Sequence, residues 1–253
     1  MQKSKDFKYI GQRPLRPDGI EKVTGKALYG ADINLQGILY GKILRSPYAH
    51  AKILSIDTEA AKNLPGVYTV LTSEDLIKKH TEMFKDLEGT LTSLKYLSNN
   101  VLAGDKALYV GHPVAAVAAT SPHIALEALS LIKVEYNVLD SVTDVESSMS
   151  ERAPILLESP ITASPRPEKF ESTNIVGNCE FLRGDVETGF NQADVVVETE
   201  YRTKTVHQGY IEPQSATALW SEDDSKLKIW CSNQGHFSVR NEVSALLEIP
   251  VSA

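Results

Sequence analysis

Cysteine is scarce in this sequence of 253 residues, which contains only Cys179 and Cys231. The two lie 52 positions apart, so they form neither a C-x-x-C pair nor a zinc-binding spacing. Two cysteines at this distance also do not make the disulfide framework of a small secreted domain. We therefore expect a reducing compartment and a cytoplasmic protein.

Long hydrophobic runs are missing as well. No apolar stretch approaches the roughly 18 residues that a membrane-spanning helix requires. The first thirty residues carry charges throughout and contain no apolar block of about 7–15 residues, so no secretory signal peptide is visible. The sequence therefore predicts a protein without a membrane span.

An excess of positive charge is also absent, because the formal net charge is −7 and the isoelectric point is near 5.4. Residues 1–26 hold seven Lys and Arg against three acids, which leaves the remainder at 19 minus 30, or −11. Such a body lacks the wide cationic surface of nucleic-acid-binding proteins, so we expect no nucleic-acid partner. The basic arm is predicted to be a solvated segment or to lie on an acidic neighbour.

The common nucleotide and zinc motifs are missing too, since no G-x-G-x-x-G, Walker loop or H-E-x-x-H occurs. No two of the six histidines have i,i+4 spacing on a helix, which argues against a histidine metal site. His112 is predicted to be a hydrogen-bonded structural residue. The acidic run 222–224 fits a solvated turn better than a cation site. Arg183-Gly184-Asp185 fits a turn and an Asp helix cap better than an adhesion signal.

What the sequence does contain is an alternation of strand and helix signals within an ordinary globular composition, 42% apolar and 23% charged. The clearest unit is a small-apolar strand over 113–120, a helix over 123–132 opened by Ser121-Pro122, and a period-two strand over 133–139. This order predicts a mixed α/β fold rather than a helical bundle.

Other elements are weaker but can be placed. A short helix capped by Asp57 or Thr58 is predicted to end at Pro65-Gly66, and residues 78–100 are predicted to be an irregular surface loop. A hairpin is predicted around the acidic turn, followed by a final amphipathic helix with Val239, Val243, Leu246 and Leu247 on one stripe. Further strands are predicted over 38–44, 51–56, 67–72 and, half-buried, 195–204.

A polar elbow, Ser232-Asn233-Gln234-Gly235, joins the last predicted strand to the final helix. Such an elbow is usually a turn or a capping group. It also presents free backbone N–H groups at the positive end of a helix dipole, which suits an anionic ligand. Gln234 can donate to an oxygen from a neutral amide, and Gly235 lets a ligand approach closely. The spacing alone leaves both roles open.

Seven stretches occur in one order along the chain: RPDGIEKVTGKALYGADI (16–33), LYGKILRSPYAHAKILSID (39–57), LPGV (64–67), YVGHPVAAVAA (109–119), RGDVETGFNQADVVVETEYRT (183–203), HQGYIEP (207–213) and IWCSNQ (229–234). In this order the chain resembles the large, molybdopterin-binding subunit of the molybdenum hydroxylases, the xanthine dehydrogenase and aldehyde oxidase family.

The resemblance implies a domain organisation of the mixed α/β (α+β) class. It consists of an N-terminal arm (1–17), an α/β hammerhead domain (18–140), a connector (141–180) and the first part of a molybdopterin-binding domain (181–253). A glycine-rich Phe-Gly loop and the general-base glutamate lie further on in the family. The chain therefore resembles the N-terminal portion of a longer subunit.

The same resemblance implies one cofactor-binding residue. In the family a serine–polar–glutamine turn places its glutamine beside the molybdenum, and Ser232-Asn233-Gln234 matches that turn, although threonine is commoner in the middle. The cofactor contact therefore falls on Gln234. No catalytic residue and no metal ligand is assigned, because the base glutamate is expected beyond residue 253.

The implied reaction is hydroxylation of an sp2 carbon in an N-heterocycle, aldehyde or related small molecule, with oxygen derived from water. The implied cofactors are a Mo-pyranopterin in dinucleotide form and, on partner subunits of a hetero-oligomer, a 2Fe-2S cluster and FAD. The 253 residues alone are expected to be inactive without the base. They are also expected to associate or to be poorly soluble through unpaired strand edges.

Three alternatives stay open at this point. The chain could be a non-catalytic hammerhead module that docks onto iron–sulfur and flavin subunits, the remnant of a decayed gene, or a plain α/β domain with similarity of fold only. The identity of the substrate, the sulfido or oxo ligand and the pterin dinucleotide are not encoded in these residues.

Overall fold

The computed structural model describes residues 7–76, 83–85, 91–157, 174–175, 181–221, 223 and 225–253. Contacts divide the chain into two compact units. The smaller unit comprises residues 1–35 and 207–234, and the larger comprises 36–206 and 235–253. The division after Gln234 falls inside the predicted elbow.

Helices and strands are interspersed along the described residues, which is typical of a mixed α/β fold. The helices are α1 (Gly19–Val23), α2 (Glu59–Lys62), α3 (Leu94–Val101), α4 (Pro122–Leu131), α5 (Val145–Met149), α6 (Val186–Gln192) and α7 (His236–Leu247). The strands are β1 (Tyr40–Arg45), β2 (Ala51–Asp57), β3 (Val67–Thr72), β4 (Met83–Lys85), β5 (Leu91–Ser93), β6 (Lys106–Ala107), β7 (Pro113–Ala119), β8 (Lys133–Val138), β9 (Ala216–Trp220) and β10 (Leu227–Cys231).

Two three-stranded antiparallel sheets organise the larger unit. β7 lies between β1 and β3, and β2 lies between β6 and β8. The predicted strand–helix–strand unit is present, but β7 and β8 belong to different sheets. The helix between them, α4, therefore links the two sheets along the chain.

Small side chains let α4 pack closely on the sheet of β7. Ser121 caps α4 by accepting a hydrogen bond from the Ile124 N–H at 3.2 Å, and Pro122 occupies the first helical position, as predicted. Three alanines on the helices, Ala61, Ala125 and Ala128, are fully buried. The core formed by α2, α4 and the sheet comprises Ala61, Val70, Ala115, Val117, Ala119, Ala125, Ala128 and Ile132.

The prediction of an irregular loop over 78–100 is wrong for every residue of that range that the structure describes. Leu94–Val101 forms α3, and β4 pairs antiparallel with β5 just before it. Ser93 caps α3 by accepting a hydrogen bond from the Tyr96 N–H at 3.4 Å. The polar composition concealed this local capping signal. Residues 77–82 and 86–90 lie outside the described part.

The half-buried strand predicted over 195–204 is also wrong. This segment is not a strand in the structure, and its side chains are exposed. Val195 and Val197, on the predicted buried face, are 78% and 83% exposed. A period-two pattern shows which side chains share a face, but a strand also needs a neighbouring backbone to bond, and none pairs with it among the described residues. The expected association of the chain stays a prediction.

The final helix, α7, contacts α3 within the larger unit. Val239, Val243 and Leu246 of the predicted stripe are half-buried, whereas Leu247 is exposed. The helix ends at Leu247, and the capping residue after it, Glu248, adopts the left-handed conformation with φ of 56°. The amphipathic prediction therefore holds for three of its four residues.

Other local predictions are settled by single hydrogen bonds. Asp185 caps α6 by accepting from the Thr188 N–H at 2.9 Å, as the turn-and-cap interpretation of residues 183–185 requires. Asp223 accepts from Ser221 and Ser225, which lowers the pKa of its carboxyl group to about 2. Residues 222 and 224 lie outside the described part of the chain.

Among the described residues, no helix is long and apolar enough to cross a bilayer.

His112 is a structural residue, as predicted. Its ring is fully buried and stacks on Tyr109 with ring centroids 4.4 Å apart. Nδ1 lies 3.1 Å from the Leu108 N–H, and Nε2 lies 2.8 Å from the Asn99 carbonyl oxygen. Since the N–H can only donate, Nδ1 accepts and Nε2 carries the proton. This arrangement requires a neutral imidazole.

The neutral state of His112 predicts a pH dependence of stability. Burial lowers the pKa of the imidazole, and the bond to the Asn99 carbonyl opposes that shift only in part. The unfolded state takes up the proton near its usual pKa of about 6.5, whereas the native state resists it, so stability is full above that pH and falls below it. Between about pH 7 and 5, we expect the free energy of unfolding to decrease, with a slope of at most ~1.4 kcal/mol per pH unit from this group.

Urea unfolding of the wild type and of His112→Gln at several pH values measures this contribution. The glutamine does not titrate, so its curve should be flatter than the wild-type curve over the acidic range. Parallel curves would show that His112 does not carry the dependence.

Candidate functional site

The predicted elbow begins where β10 ends at Cys231 and continues until α7 begins at His236. Gln234 lies in a bend with an exposed side chain, and Gly235 is the N-cap residue of α7, without a side-chain capping bond. Cys231 is a free thiol, and Cys179 lies outside the described residues. The elbow therefore presents the side-chain amide of Gln234 rather than burying it.

A β-hairpin in the smaller unit holds the start of the elbow. β9 and β10 pair antiparallel, with Cys231 opposite Ala216 at the end of the ladder. One more backbone bond follows, from the Ser232 N–H to the Ser215 carbonyl oxygen at 3.1 Å. Because this bond extends the ladder, the backbone of the first elbow residue is fixed by the sheet.

The side chain of Ser232 is held as well. Its hydroxyl Oγ lies 3.0 Å from Glu212 Oε1 and 3.0 Å from the Pro213 carbonyl oxygen. The side-chain amide of Asn233 donates to the Cys231 carbonyl oxygen at 3.2 Å, which folds the turn back on β10. Two of the three residues in the serine–polar–glutamine turn are therefore hydrogen-bonded to their surroundings.

The segment before β1 also lies close to this turn. Gly30 opens a 3₁₀ turn, Gly30–Asp32. The Tyr29 N–H, just before the turn, donates to Asp32 Oδ2 at 2.9 Å. A Cβ at Gly30 would lie 2.7 Å from Ser215 Oγ and 3.3 Å from Ser232 Oγ, so only glycine fits without displacement. The 3₁₀ turn also contacts β9.

Sequence reasoning identified Gln234 but missed the residues around Ser232. Gly30, Glu212 and Ser232 come from three of the seven quoted stretches, 16–33, 207–213 and 229–234, and the structure brings them together. The sequence signal that could have pointed to these three residues was their position inside those stretches. No periodicity connects positions about 180 and 20 residues apart, so it did not reveal the contacts.

Two family models match this chain. Residues 24–140 match the a/b hammerhead domain of aldehyde oxidase and xanthine dehydrogenase. Residues 168–253 match the molybdopterin cofactor-binding domain. The two matches together span most of the chain, in the order that the resemblance implied.

Individual relatives agree with these models. A probable xanthine dehydrogenase subunit of Bacillus subtilis (strain 168) is 33% identical over 238 residues, which is 93% of this chain and 28% of that protein. The nicotinate dehydrogenase large molybdopterin subunit of Eubacterium barkeri is 30% identical over 248 residues, 98% of this chain and 53% of that protein. The crystal structure of quinoline 2-oxidoreductase from Pseudomonas putida 86 superposes with a TM-score of 0.74 at 30% identity, and covers 96% of this chain and 29% of that chain.

A mixed α/β chain that joins a hammerhead domain to a molybdopterin cofactor-binding domain is the class that the fold and these matches define. The chain belongs to the xanthine dehydrogenase and aldehyde oxidase family, whose members among its relatives are molybdenum-dependent oxidoreductases. This confirms the family and the fold class implied by the resemblance. The chain spans 28% of the Bacillus subtilis relative and 53% of the Eubacterium barkeri relative.

The residues of the elbow fit such a cofactor. In the described ranges there is no group of three His, Cys, Asp or Glu side chains that could hold a metal ion by itself. The exposed Gln234 offers a neutral amide, which suits the oxygen atoms of a metal carried by an organic cofactor. Ser215 Oγ is buried and has no hydrogen-bond partner within the described part of the chain, so the turn retains an unused polar atom.

Proposed function

We propose that this chain is the N-terminal portion of a molybdopterin-binding subunit in which the turn Ser232-Asn233-Gln234 lies against the cofactor. One observation carries the proposal: an exposed glutamine follows a serine that is fixed by bonds to Glu212, Pro213 and Ser215, inside the region matching a molybdopterin cofactor-binding domain. A turn whose first residue is held rigidly and whose last side chain is exposed is the arrangement expected of a ligand contact.

The chain itself contributes binding and orientation. When bound, the cofactor supplies the redox chemistry of molybdenum. The Gln234 amide would hold the cofactor by donating a hydrogen bond to it, and would stabilise negative charge there without adding a positive one. The rigid hairpin behind Ser232 holds that donor in place before the substrate arrives, which lowers the reorganisation needed during the reaction.

Two relatives support a proposal for the substrate class. The names of two of them specify nicotinate and quinoline, both N-heterocycles. We therefore include in the proposal hydroxylation of an sp2 carbon in an N-heterocycle, aldehyde or related molecule, with oxygen derived from water. The general base is expected from a part of the protein beyond residue 253.

We also propose partner subunits and a cellular location for this protein. The Bacillus subtilis and Eubacterium barkeri relatives are, by their names, components of larger enzymes. We propose an iron–sulfur subunit with a 2Fe-2S cluster and a FAD subunit as partners, a dinucleotide form of the pterin, and a cytoplasmic location. The non-catalytic docking module and the decayed gene are not favoured, because a cofactor-binding domain is matched in addition to the hammerhead domain.

Replacing Gln234 with alanine in the molybdenum-loaded subunit tests the contact. We expect turnover to fall about a hundredfold, since one preorganised donor to a developing charge is lost, while the fold is unchanged. Metal content and the rate constant are measured on the same preparation, so a loss of cofactor is separated from a loss of rate. The matched control is Gln192→Ala, an exposed glutamine at the end of α6. Unchanged rate and metal content in Gln234→Ala would contradict the proposal.

A further inference from the structure

Glu212 is linked to the glutamine turn by a contact that neither the sequence pattern nor the family resemblance assigned. Its side chain is half-buried, and Oε1 lies 3.0 Å from the hydroxyl of Ser232. The two residues are 20 positions apart and meet through the fold alone. A hydroxyl that donates to a carboxylate forms a charge-assisted bond, which is stronger than a bond between neutral groups.

The Ser232 hydroxyl has a single proton and two acceptors within reach. Glu212 Oε1 and the Pro213 carbonyl oxygen each lie 3.0 Å from Oγ. Both acceptors belong to the segment before β9, and the Ser232 N–H bonds the next part of that segment at Ser215. The first residue of the turn is therefore fixed by its backbone and by its side chain to one short piece of chain.

Gly30 restricts the turn from another side. Its missing side chain leaves room for the oxygens of Ser215 and Ser232, which would be 2.7 and 3.3 Å from an added Cβ. The Ser215 carbonyl oxygen would be 3.5 Å away, so the backbone of that residue is close too. A side chain at position 30 would therefore press on the turn and on the strand beside it. Ser232 is thus fixed and Asn233 is bonded to the Cys231 carbonyl oxygen, whereas Gln234 stays exposed.

We propose that Glu212 is a positioning residue that acts through Ser232 to set the direction of the Gln234 amide, with Gly30 limiting the turn on the other side. Gln234 follows the fixed residue by two positions. A displaced Ser232 would therefore carry Gln234 away from its acceptor. The inference rests on the proposed function for its catalytic consequence, but the link between Glu212 and the turn can be tested without cofactor.

The cofactor-free test is hydrogen exchange of the 253-residue chain. Glu212→Ala removes the acceptor, and the Ser232 amide should then exchange at least about tenfold faster, as expected for loss of a bond to a charged group. Ser232→Ala removes the donor and should produce a similar increase at the amide of residue 232, which donates to the Ser215 carbonyl oxygen. Glu212→Gln retains an oxygen acceptor, so its exchange should stay within about threefold of the wild type. Wild-type exchange rates in both alanine variants would overturn the inference.

The catalytic test is a double-mutant cycle in the molybdenum-loaded subunit. If Glu212 acts only through the glutamine, Glu212→Ala combined with Gln234→Ala should lower turnover no further than Gln234→Ala alone. Glu212→Gln should retain most of the turnover that Glu212→Ala loses. Independent losses that multiply would overturn the positioning role. If Gln234→Ala has no effect on rate or metal content, the proposed function fails, while the exchange experiment still decides whether Glu212 holds the turn.

Discussion

His112→Ala is expected to lower the free energy of unfolding by about 3–5 kcal/mol. The ring is shielded from solvent, since its exposed fraction is 0%, and both of its nitrogens are hydrogen-bonded. Alanine removes the partner of the Leu108 N–H and of the Asn99 carbonyl oxygen, each at a cost of roughly 1–3 kcal/mol. It also removes the stacking contact with Tyr109 and leaves a void.

Urea unfolding of the 253-residue chain followed by circular dichroism measures this loss. The matched control is His123→Ala, because His123 is exposed in the first turn of α4, and its substitution should change stability by at most about 0.5 kcal/mol. His112→Gln should fall between the two, since its amide can still donate toward Asn99. Equal stability of the two alanine variants would contradict the structural role of His112.

Gly66→Ala is expected to lower the free energy of unfolding by about 3 kcal/mol. Gly66 has a φ of +91°, in the region that L side chains rarely adopt. An added Cβ would lie 2.7 Å from Ile124 Cδ1 and 2.9 Å from Thr120 Oγ1, so α4 would have to move or Ile124 would have to change rotamer. The backbone strain accounts for roughly 1–2 kcal/mol and the overpacking for the rest.

Gly37→Ala separates these two causes. Gly37 has a similar φ of +74°, but an added Cβ would meet no atom within 4 Å. This variant should therefore lose only the backbone part, about 1–2 kcal/mol. The difference in the unfolding midpoints of the two variants, measured in urea, reports the close approach between Gly66 and α4. If the two losses were the same, the packing of α4 against this turn would not be as tight as the distances indicate.

The elements that the sequence predicted well are those whose signals are local. The helix α4 follows from Ser121-Pro122 and its apolar spacing, and β7 follows from a run of small apolar residues. The cap at Asp185 and the solvated turn around Asp223 are equally local. In each case the residues that decide the structure are within about four positions of one another.

The two predictions that were wrong have different causes. The alternation over 195–204 is real, but no strand among the described residues pairs with it, so its valines are exposed. The helix α3 was missed because it lies in a polar segment, and its contact with α7 links residues more than a hundred positions apart. Hydrophobic period gives a face to a segment and does not supply the neighbour that covers it.

The sequence by itself indicated the family and the mixed α/β class, through short motifs in one order along the chain, and it singled out Gln234 as the proposed cofactor contact. Only the tertiary structure decided how that glutamine is supported. The bond between Glu212 and Ser232, and the space left by Gly30, arise when a hairpin and an N-terminal turn fold together. Such contacts depend on three-dimensional proximity, which spacing along the chain does not encode.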